Sequence, residues 1–161
     1  MHSMDKDRVV VYSPKWDKRF VDLAKHISSW SKDPSTQIGA VIVDPKTQKV
    51  LSMGYNGFPA GIHDTYERLN DRPLKHSLVV HGEMNAIYNA AACGVLLSGA
   101  TIYVQGLPVC NECAKGIIQV GIRRVVIRHA FDVLPEPWKT SAEQSEALLN
   151  EAGVDIEYYE R

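Results

Sequence analysis

From His81 to Tyr159 the chain alternates helical and β-rich segments, and this alternation constrains the fold more than any other feature. "HGEMNAIYNAAACG" has the apolar spacing of a helix and "ATIYVQ" (Ala100 to Gln105) reads as a strand. A helix follows from about Asn111 to Val120, stopped by Gly121, and then the strand "RRVVIR". A helix from about Ser141 to Ala152, capped by Gly153, and a final strand "VDIEYY" complete the series. Strands joined through helices favour parallel pairing. Upstream, Ser13 and Pro14 mark a helix start, after which Trp16, Phe20, Leu23, Ala24, Ile27 and Trp30 recur at helical spacing up to "SKDPS". "IGAVIV" (Ile38 to Val43) and "KVLSMGY" (Lys49 to Tyr55), linked by the polar "DPKTQK", read as an antiparallel hairpin. The order α-β-β-α-β-α-β-α-β predicts an α/β fold: a mixed five-stranded sheet with helices on both faces, in one domain over residues 1–161.

"NGFPAGIHDTYERLNDRPLKH" has no steady period and is rich in turn formers, so it reads as a long loop of the kind that is usually functional. No apolar run approaches the roughly 18 residues of a membrane span. The opening "MHSMDKDR" is polar, which argues against secretion. Cys93, Cys110 and Cys113 make an odd set with one C-x-x-C pair, fitting a reducing compartment, and a cytoplasmic location is expected. The formal net charge of −1 gives no support to a general nucleic-acid grip. By strand alternation Arg124 and Arg128 share one face and Arg123 the other, which reads as a solvated edge or a subunit contact.

His81, Glu83, Cys110 and Cys113 stand out together. A C-x-x-C at a helix start aims two sulfurs at one small target, and the positive end of the helix dipole favours their thiolates. One imidazole and two thiolates form a three-ligand zinc set, and a catalytic zinc keeps its fourth position for water. Glu83, two places from His81, sits beside such a metal without ligating it and can move protons from the bound water. Other readings stay open at this level. The histidine can be a capping residue, the C-x-x-C a redox pair, and the zinc site can be closed by Cys93, His76, His63 or His129. Cys93 lies at the far end of the helix, some 18 Å along it at about 1.5 Å per residue, and reads as a buried apolar thiol.

The pattern H-G-E…P-V-C-N-E-C resembles the H-x-E…P-C-x-x-C of zinc nucleobase deaminases. With "SKDPSTQIGAVIV", "GYNGFPAG", "HGEMNAI" and "CNECAKGIIQVGI", the chain resembles the deoxycytidylate (dCMP) deaminase family over roughly residues 31–128. The resemblance implies the three-layer αβα sandwich of the cytidine deaminase-like group. It implies Zn²⁺ on His81, Cys110 and Cys113, a zinc-bound hydroxide attacking C4 of cytosine, and Glu83 shuttling protons as dCMP becomes dUMP and ammonia. Asn56 matches the asparagine that contacts the sugar, and the backbone at Gly39–Ala40 and Gly82 would line the base pocket. Lys32 and Ser35 are candidates for the 5′-phosphate, which requires cationic or N–H donors. Family members act on small-molecule nucleotides and assemble as homo-oligomers, dimers or hexamers; nucleic acid and membrane are not expected as partners.

Two departures bear on the substrate. Val109 stands between Pro108 and Cys110, where the family places proline directly before the first cysteine, and Gly82 replaces the usual alanine of H-A-E. The segment 57–76 departs from the family after "FPAG", so regulation by dCTP or dTTP is not carried over. Alternatives are a zinc deaminase acting on a different nucleoside, nucleotide or base, and a structural-zinc module without catalysis.

Overall fold

The computed structural model describes residues 10, 12–129 and 134–159; the polar opening "MHSMDKDR" lies outside them. The chain runs α1 (Pro14–Ser28), β1 (Gly39–Asp44), β2 (Lys49–Tyr55), α2 (Tyr66–Asn70), α3 (Arg72–Leu78), α4 (Gly82–Cys93), β3 (Thr101–Gly106), α5 (Asn111–Gln119), β4 (Arg124–His129), α6 (Glu136–Glu151) and β5 (Asp155–Tyr158). The strands form one mixed five-stranded sheet in the order β2-β1-β3-β4-β5. β1 is antiparallel to both β2 and β3, whereas β3, β4 and β5 are mutually parallel. The hairpin and the helix-linked strands thus pair as the segment order predicts.

Continuous apolar runs mark strands covered on both faces. In β1, Val41 and Val43 pack with Phe20, Val21, Ala24 and Ile27 of α1, while Ala40 and Ile42 face the opposite layer. That second layer brings Ala86, Ile87 and Ala90 of α4, Ala114 and Ile117 of α5 and Leu149 of α6 onto Ile102, Val104, Val125 and Ile127. The sandwich is therefore asymmetric: among the described residues, α1 is the helix that covers one side of the sheet's centre.

Several expectations are corrected. The segment read as a continuous loop contains α2 and α3, capped by Thr65 (accepting from Arg68 N) and Asp71 (accepting from Leu74 N). Each is a two-turn piece or less, and Lys75 is the residue they bury, so no apolar period announces them. α6 starts at Glu136 rather than near Ser141, because Pro137 falls in its first turn, where a missing N–H costs no helix bond.

Arg124 is neither on a solvated edge nor on a subunit surface. β4 is an inner strand, and Arg124 is 1% exposed. Its guanidinium donates to both Asp17 carboxylate oxygens (2.9 and 2.7 Å) and to Glu157 (3.2 and 2.7 Å). Tyr103 Oη donates to Asp17 as well, at 2.7 Å. Arg128 shares that face, as alternation predicts, and holds Asp22, Gln105 and the Val21 carbonyl. Both arginines thus tie α1 to the sheet. Cys93 is exposed rather than buried, since the inward face of α4 ends at Ala90.

Candidate active site

Register decides where the site lies. Gly39 is level with both Tyr55 and Gln105, so the start of β1 and the ends of β2 and β3 meet at one edge of the sheet. Residues just outside those strands converge there: Ile38, Asn56 and the 107–110 loop. Crevices beyond the carboxyl ends of parallel strands are the usual ligand position in open α/β sheets. Gly106 makes the exit from β3, with φ +127°, and a Cβ there would stand 2.6 Å from the Gln37 carbonyl oxygen.

Two helix N-termini point into this edge. His81 is the N-cap residue of α4, with Gly82 and Glu83 in its first turn. Cys110 is the N-cap residue of α5, its sulfur accepting from Cys113 N at 3.3 Å. Both sulfurs lie 3.3 Å from the same His81 Nδ1, and the three ligand atoms fall within 4.8 Å of one another. A tetrahedral zinc with ordinary N and S bond lengths sets such an edge at about 3.5 Å, so the donor set fits that ion. Among the described residues this cluster has three members, and none of the alternative fourth ligands belongs to it. Cys93 is exposed at the far end of α4.

The protonation pattern fits a cation as well. The Cys110 thiol is held down to about 4, chiefly by the hydrogen bond from Cys113 and, against burial, by that with His81. The Cys113 thiol is pushed up, first by sharing its proton with Cys110 and then by burial. Two adjacent sulfurs cannot both ionise without a positive charge between them. His81 is raised by the hydrogen bond with Cys110, against the effect of burial. Burial pushes the Glu83 carboxyl, 4% exposed, above its ordinary range.

A cavity of about 590 Å³, its open mouth included, carries Glu83, His81 and Cys110 in its wall. Ile38, Val79, Leu107, Pro108 and Trp138 supply apolar surface, and Asn56, Ser35, Asp33, Arg72, Lys75 and His76 supply polar groups. The Asn56 amide accepts from Ile38 N at 2.8 Å and donates to the Thr36 carbonyl at 2.9 Å, which leaves one N–H and one lone pair free of these bonds. The Ser35 hydroxyl donates to Asp33 and accepts from Lys75 Nζ, at 3.0 and 2.8 Å.

The other sequence candidates are not among the residues that line the cavity. Lys32 is exposed and paired with Asp64 at 3.0 Å. Gly39 abuts α1, Ala40 is fully buried in the core, and Gly82 sits against Ile38. Val109 neither bulges outward nor lines the cavity: it is 1% exposed in the core, between Pro108 and Cys110 on the wall. Sequence reasoning passed over Arg72, Lys75 and Trp138, and considered His76 only as a fourth zinc ligand, a role the geometry does not give it. The signals at hand were the caps at Thr65 and Asp71 and the prolines before Trp138.

The fold and this site define a cytidine deaminase-like enzyme with a His-Cys-Cys centre suited to zinc. The model of the family described as "Cytidine and deoxycytidylate deaminase zinc-binding region" matches residues 14–129, and the chain belongs to that family. It is a deaminase, a hydrolase acting on C–N bonds. The chain is 38% identical over 142 residues to the "Uncharacterized deaminase in luxG 3'region" of Aliivibrio fischeri, covering 88% of this chain and 92% of that one. It is 37% identical over 147 residues to the human "Deoxycytidylate deaminase", covering 87% and 77%. The crystal structure of the dCMP deaminase of cyanophage S-TIM5 in complex with dCMP and dUMP has the same fold, with TM-score 0.74 and 24% identity over 92% of this chain and 100% of that one. Among the described residues no helix is long and apolar enough to cross a membrane.

Proposed function

We propose that this protein, as a single deaminase domain, hydrolyses dCMP to dUMP and ammonia. The observation that carries the reading is one cavity that presents Glu83, His81 and Cys110 together with Arg72, Lys75, His76 and Ser35. A base needs the first set and a 5′-phosphate the second. The "Deoxycytidylate deaminase" name of the human relative supports the same substrate.

His81, Cys110 and Cys113 would hold zinc, which supplies an activated water when bound. Glu83 accepts a proton from the attacking water at a carboxylate oxygen and passes it to the ring nitrogen of the base as the C4–O bond forms, then carries a second proton, from the new C4 hydroxyl, to the departing amine as the C4–N bond breaks. Its burial suits that role, because a raised carboxyl pKa moves toward neutrality and makes both proton uptake and release accessible. Asn56 fixes the strand entry at Ile38 and offers its remaining amide N–H to the sugar. Gly39 and Gly82 act behind Ile38, letting α1 and α4 close on the residues that shape the base wall.

Lys75 donates to Asp33 and Ser35, and its third N–H is available to a phosphate oxygen. Arg72 and His76, from the same short helix α3, add donors to that part of the cavity. Lys32, exposed and engaged by Asp64, is replaced in this role by α3.

Ammonia release from dCMP and from deoxycytidine, measured side by side on zinc-loaded protein, tests the reading. Turnover of dCMP with little from deoxycytidine is expected. Equal turnover of both would remove the phosphate from the specificity, and inactivity on both would retire this substrate.

A further inference from the structure

The family match ends at residue 129, yet the cavity wall continues beyond it. Trp138, in the first turn of α6, lines the same cavity as Glu83, with Leu107 and Pro108 also in the wall. It is half-buried, packed against the core shared by α4 and α5, so one part of the indole is anchored and another faces the cavity.

α6 is held in place by a latch to the metal-bearing helix. Asn111, next to Cys110, donates its backbone N–H to Ser141 Oγ at 3.0 Å, and Ser141 Oγ donates to Asn111 Oδ1 at 3.2 Å. Asn111 Nδ2 donates to Gln144 Oε1 at 2.9 Å. Ser141 lies three residues after Trp138, one helical turn along, so the latch fixes the turn that carries the indole. Leu149, 1% exposed, and Ser145, 2% exposed, anchor the rest of the helix. The position of the indole is thereby coupled to the first residue of the zinc-motif helix.

We propose that Trp138 is a substrate-contacting specificity residue, a wall against which the heteroaromatic base packs, and that Ser141 and Asn111 are positioning residues acting through it. This rests on the dCMP reading above for the identity of the base. Aromatic packing of this kind adds affinity equally to bound substrate and transition state, so its signature is in KM more than in kcat.

The three tryptophans allow a direct test. Trp16 stacks on Phe20 in α1, and Trp30 stands beside Tyr55. Neither is in the cavity wall. Steady-state tryptophan fluorescence is titrated with dCMP, dUMP, deoxycytidine and dGMP in the zinc-loaded wild type, Trp138→Phe and Ser141→Ala, and KM and kcat are measured for each protein that turns over. Ligand-dependent quenching is expected in the wild type and is expected to vanish in Trp138→Phe. Trp138→Ala should raise KM for dCMP about tenfold, with a smaller change in kcat and unaltered zinc content. Trp138→Phe should recover most of that loss. Ser141→Ala should raise KM in the same sense, with no further rise when combined with Trp138→Ala.

Wild-type quenching by other pyrimidine or purine ligands, lost in Trp138→Phe, without turnover of dCMP would sink the substrate and sustain the wall. Quenching retained in Trp138→Phe, no quenching by any of the four ligands, or a KM within twofold of wild type in a folded Trp138→Ala would overturn the wall. Additive effects of Ser141→Ala and Trp138→Ala would overturn the latch.

Discussion

Lys75 and Asp33 stand 42 residues apart in sequence and form a 3.1 Å ion pair in which each side chain is 8% exposed. The pair pins α3 to the turn preceding β1, and both partners line the cavity. Asp33 Oδ1 also accepts from the backbone N–H groups of Ser35 and Thr36, at 2.9 and 3.0 Å.

Removing Lys75 leaves a carboxylate buried without its cation. Lys75→Met is expected to destabilise the fold by about 3 kcal/mol, because the cost of an unpaired buried charge exceeds the value of the pair. Urea denaturation of the zinc-loaded protein measures this. Lys75→Arg should recover part of the loss, and a Lys75→Met change below about 0.5 kcal/mol, typical of an exposed pair, would refute the burial argument.

Acid sensitivity should trace to Asp17. Burial raises its carboxyl pKa, but the hydrogen bonds from Arg124 and Tyr103 outweigh burial, and the net shift is downward. A carboxyl depressed in the folded state binds fewer protons there than in the unfolded chain. Its stabilisation is therefore full above the unfolded value of about 3.9 and lost as pH falls through the folded value. Asp17→Asn should be about 3 kcal/mol less stable than wild type at pH 7, with the gap closing below about pH 4. A gap constant from pH 7 to pH 3 would assign the loss to packing alone.

Glu83→Gln should keep zinc and the fold but lose turnover of dCMP by a factor on the order of 10² to 10⁴, since the amide cannot accept the proton. Zinc content by atomic absorption and initial rates of ammonia release are the paired readouts. Turnover at the wild-type rate would refute the proton-shuttle role.

Metal removal should reach the fold as well as the activity. His81 begins α4, and Cys110 and Cys113 begin α5, so a bound ion would tie the two helices together and its binding energy would be folding energy. A chelator is expected to lower Tm in a concentration-dependent way, and Cys113→Ser to purify without stoichiometric zinc. A chelator that strips activity while leaving Tm unmoved would mean that the site is preformed without the ion.

Two glycines in the family-like motifs should respond differently to alanine. A Cβ at Gly39 would stand 2.1 Å from the Ala24 carbonyl oxygen and 2.6 Å from Ser28 N, both backbone atoms of α1. At Gly82 it would stand 3.0 Å from the Ile38 carbonyl oxygen and 3.1 Å from Ile38 Cγ2. Gly39→Ala must push a helix off the sheet and is expected to cost about 3 kcal/mol or more, against about 1 kcal/mol for Gly82→Ala. Thermal unfolding of the two variants decides; comparable losses would contradict the contacts.

The succession of strands and helices, the β1–β2 hairpin, the parallel run of β3, β4 and β5, the helices that carry His81 and Cys110, and the grouping of those two with Cys113 were legible in the chain, whereas the antiparallel pairing of β1 with β3 was not. Local signals sufficed there: apolar periodicity, caps, glycine stops and the spacing of ligand types act over a few residues each. Arg124 shows where such signals end. Alternation placed it correctly beside Arg128, but only the packing of α1 onto the sheet turns that face into a buried ion network with Asp17 and Glu157. Cys93 fails for the converse reason, because a helical pattern does not say where the sheet beneath it stops.

Sequence by itself determined the candidate donor set, a histidine and a C-x-x-C pair with a carboxylate two residues from the imidazole, since ligand types and their local spacing are properties of neighbouring residues. Tertiary structure decided the cavity wall. Arg72, Lys75 and His76 reach it from the short helix α3, which has no apolar period, and Trp138 reaches it from beyond the family motifs. Their positions depend on long-range contacts, Lys75 to Asp33 and Ser141 to Asn111, whose free energy is gained only when distant segments are brought together.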